Sequence, residues 1–399
     1  MSAENIRTAA LPPPDWDDLT GTSPLYLGSG WMRFVDSGGG ADPRYTTLTR
    51  GGRAVAALAA HWNPDEGHAD YRAQSVLGGS PHPAPPRLTL GGRRGFSSGL
   101  LKEPSAGPRR AAADLAALLT DTLANTRHSA GRWWWPYLTS DDADIVTEAA
   151  RLAAPGPGDA GVQLRLLGAD CVMDLTGDSV DAFTAALPTK QRRTNFRGEQ
   201  RRYAESGLRT AQLKLSDVWE EGAGLLAQVQ SKYGHDAPVD YLKDFLRRQV
   251  DQLDDRSVVF AAYRGDDLIG FTLCFVAGDE LVVRLNGFDY ARLTGCGEYA
   301  HLTVHEPLRH CYANGLRRLH LGMDSYDAKC RRGARVRPLW AVVGKDPGRD
   351  TTSTECLNDL LPRMPAREAA AFRAEVARRL TLPDDATHRT GQPVPASRP

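Results

Sequence analysis

Cysteine is scarce and unpaired in this 399-residue chain: six residues, at 171, 274, 296, 311, 330 and 356, mostly inside apolar runs and never in CxxC spacing. That excludes a disulfide framework and a structural zinc site, and it predicts a reducing compartment. Long apolar runs are missing as well. No stretch approaches the ~18 residues of a membrane-spanning helix, and the N-terminal MSAENIRTAALPPPDW lacks the apolar core of a signal peptide. The expectation is a soluble, cytoplasmic protein with no membrane partner. Net charge is absent too, with 49 basic against 49 acidic residues. Any surface for a polyanion must therefore be local. Finally, no G-x-S-x-G elbow, Walker loop or HExxH pattern occurs, which argues against a serine hydrolase, a P-loop NTPase and a zincin.

What is present alternates strands with helices. Residues 1–20 are polar and proline-containing and predict a flexible arm. The spacing predicts a helix within 23–35, a hairpin over 45–61, a short strand at 87–90 and a leucine-rich helix over 111–125. Trp133-Trp-Trp135 predicts a strand with rings on both faces, for core packing or a stacking surface. A helix over 142–152 precedes Pro155-Gly-Pro-Gly-Asp159, the clearest internal linker. Beyond it come predicted strands at 162–167 and 171–175, a capped helix from Ser179, and a basic helix over 189–209. Helices at 218–233 and 241–253 and a second hairpin at 258–276 follow. YTTLTRGGRAVAALAAH (45–61) and VFAAYRGDDLIGFTLCF (259–275) share strand, R-G-x turn and small-residue strand, a weak repeat pointing to two related α/β units. A helix at 366–380 and a Pro/Ser/Thr-rich tail over 383–399 close the chain.

Three stretches carry candidate chemistry. Val282–Phe288 is an apolar strand followed by Arg292-Leu-Thr-Gly295-Cys-Gly297 and a helix over 298–314. A glycine loop opening a helix exposes unpaired N–H groups at the positive helix end, which suits a phosphate at Arg292, Gly295 and Gly297. An ordinary strand–helix turn would read the same. The basic helix carries seven cations, Arg193, Arg197 and Arg201 among them at i, i+4, i+8, against Glu199 and Glu205. It suits a polyanion, although a solvated face would look alike. After a predicted strand at 316–321, Gly322, Asp324, Tyr326, Lys329 and Gly333 gather at a strand end, where α/β sites assemble. Lys329 could stabilise an oxyanion or phosphate, and Tyr326 or Asp324 could relay a proton. His301 and His305 with Glu298 have possible metal spacing, but a third ligand pattern is missing and ordinary histidines fit better.

These pieces, in this order over about residues 23–343, resemble the GNAT superfamily, and within it the double-GNAT branch of Fem-type peptidoglycan-bridge aminoacyltransferases and natural-product relatives. The carriers are SPLYLGSGWMRFV, TRGGRAVAALAAH, SVLGG, DAFTAALPTKQRRTNFRGEQRRYAESGLR, YRGDDLIGFTLCF, NGFDY and ANGLRRLHLGMDSYDAKCRRGARVRPL. The resemblance implies an α/β (α+β) fold of two tandem GNAT-like domains, 21–155 and 160–345, with mixed central sheets flanked by helices. A helical extension would occupy 346–382. It also implies acyl transfer to a small-molecule amine with no resident cofactor, the donor being a co-substrate. The R-x-x-G-x-G pattern of Arg292–Gly297 would place acyl-CoA there. The Y-x-x-K-x-x-x-G context of Tyr326, Lys329 and Gly333, with the basic helix, would suit aminoacyl-tRNA, the preferred donor. Asn286 and Asp289, in NGFDY, are placed at the acceptor.

Overall fold

Every described strand joins one sheet. The computed structural model describes residues 4–19, 25–78, 86–126, 131–154, 161–345, 350 and 352–380. The strands are β1 (Glu4–Ala9), β2 (Asp42–Arg50), β3 (Arg53–Trp62), β4 (Leu88–Leu90), β5 (Leu101–Lys102), β6 (Trp133–Leu138) and β7 (Val162–Asp174). They continue with β8 (Arg209–Leu213), β9 (Ser257–Arg264), β10 (Asp267–Ala277), β11 (Glu280–Phe288), β12 (Arg318–Gly322) and β13 (Arg335–Gly344). Their order is β1-β2-β3-β4-β6-β13-β7-β12-β11-β10-β9-β8, with β5 paired off the path to β3.

This order is symmetric about its middle. In one half β1 to β4 are antiparallel, β4 and β6 are parallel, and β6 meets β13 antiparallel. In the other, β8 to β11 are antiparallel, β11 and β12 are parallel, and β12 meets β7 antiparallel. The repeated hairpins are β2–β3 and β9–β10, the second and third strands of each half. The strand following each half in the chain crosses over to complete the other: β7 follows β6 yet pairs with β12, and β13 follows β12 yet pairs with β6. β7 and β13 pair with each other at the centre.

Local chemistry accounts for most elements. Thr139, Ser179 and Thr189 each accept a hydrogen bond from a backbone N–H of the helix they open. The helix Pro108–Asn125 starts with proline at its first position and buries Leu115, Leu118 and Leu119. Trp133 and Trp135 join one apolar cluster and Trp134 another, as alternation along β6 requires, so the triplet is core rather than a stacking surface. The helix Ser29–Ser37 of the first half packs on Val239–Leu253 of the second, with Phe34 and Phe245 edge to face at 5.5 Å. No described helix is long and apolar enough to cross a membrane.

Four expectations change. Within the arm expected at 1–20, the described residues 4–19 are structured: β1 pairs with β2, and Trp16 is fully buried, its indole N–H donating to Leu27 O at 2.8 Å. The two strands expected at 162–175 are one 13-residue strand. Gly168 is not a break there but a close approach, because a Cβ would lie 2.7 Å from the Met323 methyl. The basic helix ends at Ala204, and the residues after it form β8. The helix after the glycine loop is interrupted, running Glu298–Ala300, a π turn over His301–His305, then Glu306–Ala313. Pro307 lacks the N–H that a regular helix would direct at Thr303, and the wider turn sits directly before it. Helices at Thr352–Leu360 and Ala366–Ala377 form the C-terminal extension. The linker at 155–159 and the tail at 383–399 lie outside the described residues.

Candidate functional site

Parallel strands β11 and β12 are hydrogen-bonded only where Glu280–Val282 face Arg318–His320. Past that point they diverge, and the gap opens into a cavity of about 1070 Å³. Arg284, Asn286 and Phe288 line it from alternate positions of β11, and His320 to Ser325 line it from the end of β12. The chain turns sharply there: Gly322 (φ 70°), Asp324 (φ 62°) and Ser325 (φ 49°) are all left-handed. Two consecutive non-glycine residues in that region are costly, and such strain collects at functional turns. The turn starts the helix Tyr326–Arg331, which carries Lys329 into the cavity wall.

Lys329 is buried, and its Nζ donates to Met323 O at 2.6 Å and Gly322 O at 3.2 Å. Burial pulls its pKa below the ordinary lysine value. Asp324 lies on the cavity wall, ion-paired with Arg363 of the extension. Tyr326 is turned away: its hydroxyl donates to Ala169 O at 3.0 Å and burial pushes the phenol up, so it is anchored to β7 rather than presented to a substrate. Of the three residues singled out around this turn, two face the cavity.

The glycine loop is already occupied. Gly295 (φ 76°) and Gly297 (φ 100°) take the left-handed geometry that a phosphate loop needs. Yet Glu298 turns its own carboxylate into the loop, accepting from Thr294 N, Thr294 Oγ1 (2.7 Å) and Gly297 N (3.1 Å). Burial pushes the Glu298 carboxyl up, but those hydrogen bonds outweigh it and hold the group ionised. Arg292 is neutralised by Asp267 at 2.9 Å and Asp289 at 3.5 Å. Asp289 thus serves the loop and does not line the cavity. Asn286 does, its Oδ1 fixed by Thr272 Oγ1 (2.7 Å) and Thr303 Oγ1 (3.2 Å), so the amide NH2 is the end it can offer.

On the basic helix, Arg193 donates to Leu187 O at 2.6 Å, closing the preceding turn. Arg197 and Arg201 are exposed and make no ion pair among the described residues. None of the three lines the cavity. The helix instead abuts it: a cleft of about 340 Å³ shares Ala328 with the cavity, and its three arginines are ion-paired, Arg192 with Glu368 at 3.0 Å, Arg331 with Asp327 at 2.8 Å and Arg332 with Glu199 at 2.7 Å. His301 and His305 are buried, bound to Glu306 and Glu199 at 3.0 Å each. No group of three His, Cys, Asp or Glu among the described residues could hold a metal.

Sequence reasoning passed over a buried charge network at the cavity floor. Asp170 of β7 is fully buried, accepting from Arg337 (2.7 and 3.0 Å) and from His320 Nε2 (2.6 Å). Burial pushes the Asp170 carboxyl up, but Arg337 and His320 outweigh it and hold it well below the usual carboxylate range. An acid inside an apolar strand was the available signal. Arg284, a lone cation inside VVRLN, was another.

Residues 190–330 match the family model described as an acetyltransferase (GNAT) domain. The chain carries a GNAT acyltransferase domain. The match begins at the basic helix and ends one residue after Lys329. Likeness of fold extends beyond that segment: FemX is similar with a TM-score of 0.58 at 10% identity, over 84% of this chain and 96% of that one. A conserved protein of unknown function from Bacteroides thetaiotaomicron VPI-5482 is similar with a TM-score of 0.52 at 10% identity, over 84% and 94%. At that identity these likenesses establish the fold alone. No curated protein matches the chain.

Proposed function

We propose that the protein transfers an aminoacyl group from aminoacyl-tRNA to the amine of a small molecule. The observation that carries the choice of donor is Glu298. Its ionised carboxylate takes the loop N–H groups that a CoA pyrophosphate would use, and a second anion there would meet like charge. On the basic helix Arg197 and Arg201 stay exposed with no ion pair among the described residues, and the helix lies beside a cleft that shares Ala328 with the cavity, so a polyanion held by these cations would bring its ester towards Lys329.

In this reaction the acceptor amine attacks the ester carbonyl and a C–N bond forms. Lys329 has three N–H donors and spends two on Met323 and Gly322, leaving one for the developing oxyanion. Collapse breaks the C–O bond to the ribose, and the proton lost by the amine passes to that leaving oxygen, with Asp324 as relay. Reverse transfer is disfavoured because the amide product is more stable than the ester.

Acetyl- or acyl-CoA is the second reading, favoured by the family match and by the two left-handed glycines of Arg292–Gly297. A donor assay with a panel of primary amines, with and without RNase, separates them. Loss of product on RNase treatment supports the tRNA donor; RNase-insensitive product that requires acyl-CoA rejects it.

A further inference from the structure

A second cavity of about 470 Å³ lies between the two halves of the sheet, walled by Trp31, Phe34, Tyr71, Phe96 and Phe245. It shares Phe96, Gln230, His235 and Arg284 with the cavity beside Lys329, so the two are chambers of one groove. Arg284 stands on the wall between them.

The other guanidinium groups of this groove are neutralised. Arg94 meets Glu66 at 2.8 Å, Arg248 meets Asp244 at 2.8 Å, and Arg363 meets Asp324. Arg284 is half-buried and makes no ion pair among the described residues. Its Nε is buried without a hydrogen-bond partner, and its guanidinium lies 5.1 Å from the Trp31 ring. Two acids, Asp70 and Asp236, line the aromatic chamber but are exposed at its mouth. A guanidinium with a buried, idle Nε–H and no ion pair is matched by a carboxylate, which a guanidinium fork binds in bidentate fashion.

We infer that the acceptor is an α-amino acid with an aromatic or large apolar side chain, its free carboxylate held by Arg284. The side chain fills the aromatic chamber and the amine enters the chamber that Lys329 lines. The single carbon between carboxylate and amine suits a cation placed on the dividing wall. A chamber of about 470 Å³ has ample room for a large aromatic side chain. Which end of the ligand reacts rests on the acyl-transfer reading; the binding does not.

The test is calorimetric binding of L-phenylalanine, L-tryptophan and L-leucine to the full chain without donor, alongside L-phenylalaninamide and phenethylamine. We expect the acids to bind and both carboxylate-free analogues to bind about 10- to 100-fold more weakly, as loss of a charge-assisted hydrogen-bond pair implies. Arg284→Met should erase that preference, and Arg284→Lys, which keeps charge but not the fork, should restore part of it. Thermal unfolding of each variant checks folding, and the wild-type analogue series stands if a variant fails to fold. Equal wild-type affinity for acid and amide, no binding by any of the amino acids, or a preference surviving in folded Arg284→Met overturns the inference. Binding that needs the carboxylate, with no product from either donor, would remove the acyl-transfer reading and leave the site. Product formed without any carboxylate preference would do the reverse.

Discussion

Lys329 has one N–H to spare after bonding Met323 and Gly322, and that donor is what Lys329→Met removes while keeping most of the packing. We expect kcat for amide formation to fall about 10²- to 10³-fold, as when a single oxyanion donor is lost. The acceptor KM should change little, and unchanged turnover would remove Lys329 from the chemistry. Asp170 makes a different demand. Its folded-state pKa is depressed, so the stability it contributes is fully present above about pH 3.9, the unfolded carboxyl value, and is lost as pH falls below it. Asp170→Asn leaves Arg337 buried without its carboxylate, a defect of about 3–5 kcal/mol in buried pairs. Denaturant titrations at neutral and acid pH should show the variant less stable at neutrality and less sensitive to acidification. The two residues differ in how far the sequence reveals them. Lys329 was found from its motif, whereas Asp170 and its partner Arg337 lie 167 positions apart.

Among the elements, the glycine loop shows how far local pattern reaches. Its glycines and its preceding strand follow from the pattern, and both glycines are left-handed, whereas the helix expected over 298–314 is broken by a π turn at His301–His305. The occupant of the loop was not, because Glu298 reads as an ordinary first-turn acid until the carboxylate is seen folded back on Thr294 and Gly297. We expect no saturable CoA binding to the wild-type chain in calorimetry, and a gain of CoA affinity in Glu298→Ala, which empties the loop. Micromolar CoA binding by the wild type would contradict this account. The basic helix is a similar case: its sequence placed the arginines on one side, but only the fold determined that Arg193 closes a turn while Arg197 and Arg201 stay in solvent.

At the scale of the molecule, the exchanged strands β7 and β13 bind the two halves into one sheet. Leu339 to Val343 of β13 are fully buried between β6 and β7. The halves should therefore unfold together, giving one calorimetric transition, and a chain ending at Gly333 should fail to fold in either half. Trp340→Ala grades the same test: we expect a loss of about 3–5 kcal/mol, typical of a large buried aromatic, with the transition still single. Two separate transitions in the wild type would refute the coupling. By itself the sequence determined the elements, the hairpin repeat, the family resemblance and the Lys329 turn, because periodicity, caps and glycines act over a few residues. Only the tertiary structure decided which strand completes which half, and which charges are cancelled at the site. Those outcomes depend on pairs far apart in the chain, such as β13 with β6 or Asp324 with Arg363, which no local pattern encodes.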